Sequence, residues 1–449
     1  MSKTQFSNIL FLICSFLFLI DGATAQNVLS LLPSLREQAT IQQQWLTMRL
    51  ERVLPRLMRE NNVQMWIVDM REYNEDPVFS SMVSATTFSA RRRSIYIFFD
   101  QGPEKGVERL ALGGSSQGGL FVAYRDTSLK NAELWGDLQW NTLAKVVADR
   151  HPKTISVDIS NTHAFSDGLS AGEWELMQKA LGPEYLGRIV SAERLPLDYI
   201  AIRLPEMLPV YTSMMKVSHA IIEEAFSNKV ITPGKTTAQD VVWWMRQKVQ
   251  ELGLTTWFQP SVDVQRRGAD LSNDSDPIIQ KGDVLHCDFG VTGMRLNTDT
   301  QHMGYVLKDG ETDVPADLKA VLSRSNRLQD IVIDAMKIGR TGNQVLAKAL
   351  EQMKKEGIEG SVYSHPIGEH GHGAGAIIGL WDRQMGVSGR GDVPLIPDTW
   401  YSVELQAGAP VPEWGGQIVR SPQEEDVSIG LDGTVRWIAE RQIKFHLVR

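Results

Sequence analysis

Cysteine is nearly absent from these 449 residues. There are two, Cys14 and Cys287, and Cys14 lies in an N-terminal segment that reads as removable. The remainder can form no internal disulfide, so its stability falls to core burial and to any bound metal. Long apolar runs are absent beyond the first twenty positions, which excludes a later membrane span. Positive charge is short as well. Lys plus Arg number 46 against 54 Asp plus Glu, a net charge of -8, which argues against a nucleic-acid partner needing a basic face. The one basic triplet, Arg91-Arg92-Arg93, precedes strand-like Ser94 to Phe99 and reads as a solvated strand entrance. No Gly-rich phosphate loop and no repeat at a solenoid period occurs.

What is present is the composition of a globular protein, 42% hydrophobic and 22% charged. The length exceeds one ordinary core and predicts two domains. Lys3, the apolar stretch Ile9 to Ile20 and the small residues Ala23-Thr24-Ala25 before Gln26 predict a cleaved export signal. That places the mature chain in the periplasm or outside the cell, with an uncleaved N-terminal anchor as the alternative. Bulky Ile13 before Cys14 speaks against lipidation there.

Helix-like and strand-like stretches alternate up to about Pro196: a helix over Leu46 to Glu60, then strands over Gln64 to Val68, Arg109 to Leu112, Leu120 to Tyr124 and Thr154 to Val157. A linker is expected over Leu195 to Met207, where Pro196 and Pro205 interrupt periodicity. Beyond it, a helix is expected over Lys216 to Lys229, and another opens at the capping box Thr237 to Asp240 and closes at Gly253. Its Trp243-Trp244 pair reads as packing. Ala316 to Met336 and Gly342 to Glu356 have amphipathic spacing.

Chemistry concentrates later. Lys281 to Gly290 reads as a turn and a strand, and a second strand runs through Asp299 to Val306. A hairpin tip at Gly293-Met294 would pair Thr292 with Arg295 and therefore Asp288 with Asp299. Two carboxylates directly opposed, with Cβ atoms about 5 Å apart, repel unless a cation or proton lies between them. A bulge that shifts the register is the alternative. Ser364 to Gly375 then holds His365, His370 and His372 among glycines. Composition cannot choose a ligand among the three. Glu404 and Glu424 lie in apolar, strand-like surroundings, each a weak signal alone. Arg390-Gly391-Asp392 spells an adhesion triplet that chance explains.

The order Asp, a second Asp eleven residues on, a Gly-rich His segment and two separate Glu residues resembles the pita-bread metallopeptidases. That group contains methionine aminopeptidase, aminopeptidase P, prolidase and the metal-free creatinase. The resemblance implies an α+β chain: a signal over 1–25, a creatinase-like α/β domain over 26–205 and a pita-bread domain over 206–449. It implies two divalent ions (Mn, Co, Fe or Zn, with Mn favoured) held by Asp288, Asp299, His365, Glu404 and Glu424. Asp299 and Glu424 would bridge, and Glu424 could also shuttle a proton. His372, seven positions after His365, would serve as the substrate-side His, with His370 as the rival ligand. Substrates would be short peptides, Xaa-Pro bonds among them, and a homodimer is expected. A small amide or amidine, or a non-catalytic role, are the other outcomes. The chain departs from the pattern in several places. Asp270 and Leu271 stand where active peptidases carry a His, Leu405-Gln406 follows Glu404 in place of Pro-Gly, and Pro422-Gln423 precedes Glu424 without a basic residue. About ten extra residues, Gly386 to Gly391 among them, separate His365 from Glu404.

Overall fold

A computed structural model of the protein describes residues 32–124, 136 and 138–449. The expected signal over 1–25 lies outside them. Among the described residues no helix is long and apolar enough to cross a membrane.

The first part opens with helix α1 (Leu35–Met48), which runs through a π turn over Arg49–Val53 into α2 (Leu54–Glu60). The helix predicted from Leu46 is therefore longer at its N-terminus. The π turn buries Arg49, and such turns often mark positions where one side chain must be re-aimed. A six-stranded mixed sheet follows in the order β4-β3-β2-β1-β5-β6, comprising β1 (Met65–Arg71), β2 (Arg93–Asp100), β3 (Val107–Leu112), β4 (Val122–Tyr124), β5 (Ile155–Val157) and β6 (Ile189–Val190). The central strand β1 is buried along six of its seven positions, the apolar Met65 to Val68 and Met70 together with Asp69. Arg91 and Arg92 are exposed as expected. Arg93 instead pairs with buried Glu173 at 2.5 Å and stacks on Trp140.

Residues 195–207 are more ordered than their prolines suggest. A helix, Arg194–Ala201, buries every residue from Leu195 to Ala201. Pro196 sits in its first turn, where a missing N–H costs nothing. The next helix, Leu208–Ala225, begins eight residues before the expected Lys216, again with a proline in the first turn. The helix Ala238–Glu251 has the predicted capping box on Thr237. Trp244 packs against the core, while Trp243 is exposed beneath Arg246.

The second part is built of mainly antiparallel sheets, and its buried apolar residues fall in two clusters. One sheet runs β19-β11-β8-β7: β7 (Ser261–Gln265), β8 (Val284–Phe289), β11 (Thr300–Val306) and β19 (His446–Val448), with β11 and β19 its parallel pair. A short ribbon pairs β9 (Thr292–Gly293) with β10 (Leu296–Asn297). Two more sheets contain β12 (Glu359–Val362) with β15 (Leu405–Val411) and β16 (Gln417–Gln423), and β13 (His365–Ile367) with β14 (Thr399–Ser402), β17 (Asp426–Ile429) and β18 (Val435–Trp437). The two helices expected from amphipathic spacing form as Ala316–Ala335 and Gly342–Lys355. The whole is a mixed α+β architecture.

The hairpin register differs from the expected one by one position on each strand. Leu296 pairs with Gly293, Asn297 with Thr292, and Gln301 with Asp288. The tip is Met294-Arg295, both at positive φ (51° and 61°), the mirror-image turn that suits strand twist. Two contacts explain it. A Cβ on Gly293 would lie 2.9 Å from Leu254 Cδ2, so that glycine is needed inside the ribbon. The Arg295 guanidinium donates to the carbonyls of Ser80, Val83, Ser84 and Thr87, which holds the tip against the first part of the chain.

Candidate metal centre

The register places Asp288, Gln301 and Glu424 side by side. Gln301 is opposite Asp288 in the β8–β11 ladder and forms a two-way backbone bridge with Glu424. Asp299 lies two residues before Gln301 on the same face, diagonal to Asp288 and not opposite it. Both acids are nonetheless turned inward, Asp299 to 3% exposure. β13 brings His365 in from the adjoining sheet, paired with Ser402, and Glu404 follows the end of β14.

All five expected ligands therefore converge. His365 Nε2 lies 3.2 Å from Glu424 Oε1, 3.6 Å from Asp299 Oδ2 and 4.0 Å from Glu404 Oε2. Donor atoms of Asp299, His365 and Glu424 all fall within 4.8 Å of one another. Asp288 joins through Gln301, whose Nε2 lies 3.5 Å from Asp288 Oδ2. Ser402 Oγ donates to Glu424 Oε1 at 2.7 Å, which fixes that carboxylate.

Electrostatics test whether a cation fits. Burial and the charge of Glu424 push Asp288 up to about 7. Burial, Glu424 and Asp288 together push Asp299 well above the carboxylate range, and burial with Glu424 does the same to Glu404. Burial alone would pull His365 down, yet hydrogen bonding to Glu424 and the surrounding acids raise it to about 9. Asp288 Oδ1 is buried without a partner. One imidazole cannot balance four carboxylates in so dry a place. A set of oxygen donors with one imidazole suits divalent Mn, Fe, Co or Zn. The residues fit the metal.

The three histidines of the glycine segment separate cleanly. His365 is the one among the acids. His370 stacks on Phe165 with ring centroids 4.9 Å apart and takes no part in the cluster. His372 meets the His365 ring edge-on at 4.7 Å and leans on Trp257 and Tyr363. Burial and the neighbouring His365 lower it to about 4, so it is neutral and can donate one N–H into the site. Gly371 must be glycine, because a Cβ there would lie 2.2 Å from the Trp257 ring.

Several participants escape a reading of the sequence. Gln301 Nε2 donates to Glu404 Oε1 at 2.9 Å and to Glu424 Oε2 at 2.8 Å. His286 Nε2 meets the Gln301 amide oxygen at 3.0 Å, and His286 Nδ1 meets Asp263 at 3.0 Å, so the amide is held with its N–H groups toward the acids. Only the corrected register shows that Gln301 is central. Asp426, pushed up to about 8 by burial, accepts from Tyr211 Oη and from the Asp299 N–H. Tyr363 flanks both His365 and His372 and is raised by burial and by Glu404.

Comparisons with known proteins bear on this geometry. No curated protein matches the chain in sequence. Among solved structures it is similar to an X-Pro aminopeptidase from Thermotoga maritima, at 19% identity and TM-score 0.60, covering 88% of this chain and 100% of that one. A Xaa-Pro dipeptidase from Bacillus anthracis aligns at 15% identity and TM-score 0.57, covering 90% and 99%. A prolidase from Pyrococcus horikoshii aligns at 14% and 0.51, covering 91% and 99%. At such identities these show the shared fold. The sequence profile of metallopeptidase family M24 matches residues 212–436, half the chain and every acid and imidazole of the cluster. This chain belongs to metallopeptidase family M24, a hydrolase of the metal-dependent peptidases.

Proposed function

We propose that this protein is an exported dinuclear metallopeptidase that cleaves short peptides, Xaa-Pro bonds first among the substrates to be tried. The observation that carries the reading is the buried acid cluster around His365, whose charge the protein itself leaves unbalanced. Asp288, Asp299, His365, Glu404 and Glu424 would hold the ions. When bound, divalent ions polarise a carbonyl and lower the pKa of a nearby water towards neutrality.

The remaining work belongs to side chains. Glu424, tethered by Ser402 and Gln301, can take a proton at a carboxylate oxygen and return it to the leaving amine. Neutral His372 donates an N–H towards developing negative charge on the substrate oxygen. Trp257 and Tyr363 set its ring plane. Export rests on the sequence pattern of residues 1–25, and the preference for manganese on the family resemblance, since the donor set suits Mn, Fe, Co and Zn alike.

Chelation should abolish hydrolysis of an Xaa-Pro dipeptide and tripeptide panel, and Mn or Co should restore it. Peptide hydrolysis that survives complete metal removal would overturn the proposal. A small amide or amidine is the second reading, favoured by Asp270 and Leu271 standing where active relatives carry a His. It would be supported by inertness toward every peptide with turnover of such amides.

A further inference from the structure

Three of the nine histidines, none of them in the cluster above, lie together beside it: His219 and His302 on Glu425, and His446 on His302. His219 comes from the helix Leu208–Ala225, His302 from β11 and His446 from β19. His219 Nε2 lies 3.0 Å from Glu425 Oε2, and His302 Nε2 lies 2.7 Å from Glu425 Oε1. The rings of His219 and His302 face each other at 4.9 Å. Donor atoms of His219, His302 and Glu425 lie within 4.8 Å of one another.

We infer that His219, His302 and Glu425 form a further metal site, separate from the acid cluster, that takes a single zinc-class divalent ion. Two imidazoles and a carboxylate are a common three-ligand set for zinc, with bonds of about 2.0–2.2 Å. Ligands so placed around a tetrahedral ion sit about 3.4 Å apart, so both imidazole–carboxylate spacings, 3.0 and 2.7 Å, would open by well under 1 Å on taking up an ion. The outer shell is in place. His302 Nδ1 lies 3.0 Å from His446 Nε2, the contact that orients a ligand imidazole and frees its other nitrogen. Glu425 and His302 are almost fully buried, whereas the His219 side chain keeps 21% exposure, which gives an ion a way in and a fourth position for water. An ion here would clamp the helix to the sheet and fix Glu425 next to Glu424.

The inference does not depend on which peptide is cleaved. Wild-type protein, His219→Ala and His365→Ala would each be stripped with chelator, equilibrated with zinc alone and analysed for metal per chain. His219→Ala should lose one equivalent and keep the rest, while His365→Ala should keep the equivalent that His219→Ala loses. A zinc soak of wild-type crystals should give an anomalous peak between His219 Nε2 and Glu425, a readout independent of how any variant folds. Equal zinc in wild type and His219→Ala, or no peak at that position, would leave a hydrogen-bonded network only and overturn the site.

Discussion

Two buried ionic clusters hang from the same glycine-rich segment, four residues apart, and they are finished in opposite ways. Around Glu369 the protein supplies its own counter-charge. Arg49 Nη1 lies 3.1 Å and Arg203 Nη1 3.3 Å from Glu369 Oε1, and Ser81 donates to the other oxygen. Burial alone would push Glu369 up, yet the two guanidiniums bring it below the usual carboxylate range. Burial lowers Arg203 to about 10. Around His365 the acids are in excess and rise together. The difference separates a self-balanced ion cluster from one poised to take a cation: both are dry, but around His365 a single imidazole faces four carboxylates.

The comparison breaks most visibly at His365. His365→Ala should remove metal from the acid cluster and lower peptide hydrolysis by well over ~100-fold, since loss of an outer-shell partner alone costs about 10–100-fold. Metal analysis and kcat/KM would check it, and undiminished metal content would sink the ligand assignment. Glu369→Gln should do the reverse. It leaves two buried guanidiniums without their anion, which costs about 3–5 kcal/mol of stability in urea unfolding, while the metal content stays the same. A neutral effect on stability would mean that Arg49 and Arg203 find other acceptors. Smaller again is Gln301→Ala, which removes an oriented N–H donor from Glu404 and Glu424. Metal affinity, read by competition with a chelating dye, should change by about 10–100-fold. An unchanged affinity would show that the amide merely fills space.

How much of this was legible in the residues differs between the clusters. That Asp288, Asp299, His365, Glu404 and Glu424 would meet was legible because the family's order of residue types is present in the sequence, and the structure brings the five side chains together. The direct pairing of Asp288 with Asp299 was not, because it assumed the turn at Gly293-Met294. The actual tip is set by Arg295 reaching carbonyls more than two hundred residues upstream, from Ser80 to Thr87, a tertiary contact no local pattern carries. Glu369, Arg49 and Arg203 were invisible for the same reason: each is an ordinary charged residue until a π turn and a buried helix bring them together. Gln301 was missed because a neutral amide between Thr300 and His302 carries no ligand signal in sequence, and only the β8–β11 register sets it among the acids. The helix over Arg194–Ala201 was hidden by prolines that the first turn of a helix tolerates.

The sharpest test of the comparison is pH, because the two clusters carry opposite signs. In metal-free protein, burial and Glu424 hold Asp288 up at about 7, and burial holds Asp426 up at about 8, against 3.8 for an ordinary aspartate. A raised carboxyl keeps its proton in the folded state after the unfolded chain has lost it. Its contribution is therefore complete below about 4 and is lost as pH rises towards 8, at no more than about 1.4 kcal/mol per pH unit for each such group. Glu369 runs the other way: its lowered value makes its contribution present above about 4.5 and lost on acidification. Thermal unfolding from pH 5 to pH 8 should thus show stability falling in chelator and holding level in manganese, where the cation replaces the protons. The gap between the two curves should widen steadily with pH. In His365→Ala that gap should shrink, and in Glu369→Gln it should remain. If the metal-free protein instead gains stability between pH 5 and 8 while the manganese curve stays parallel to it, the acids around His365 are already balanced from within, and the contrast between the two clusters fails.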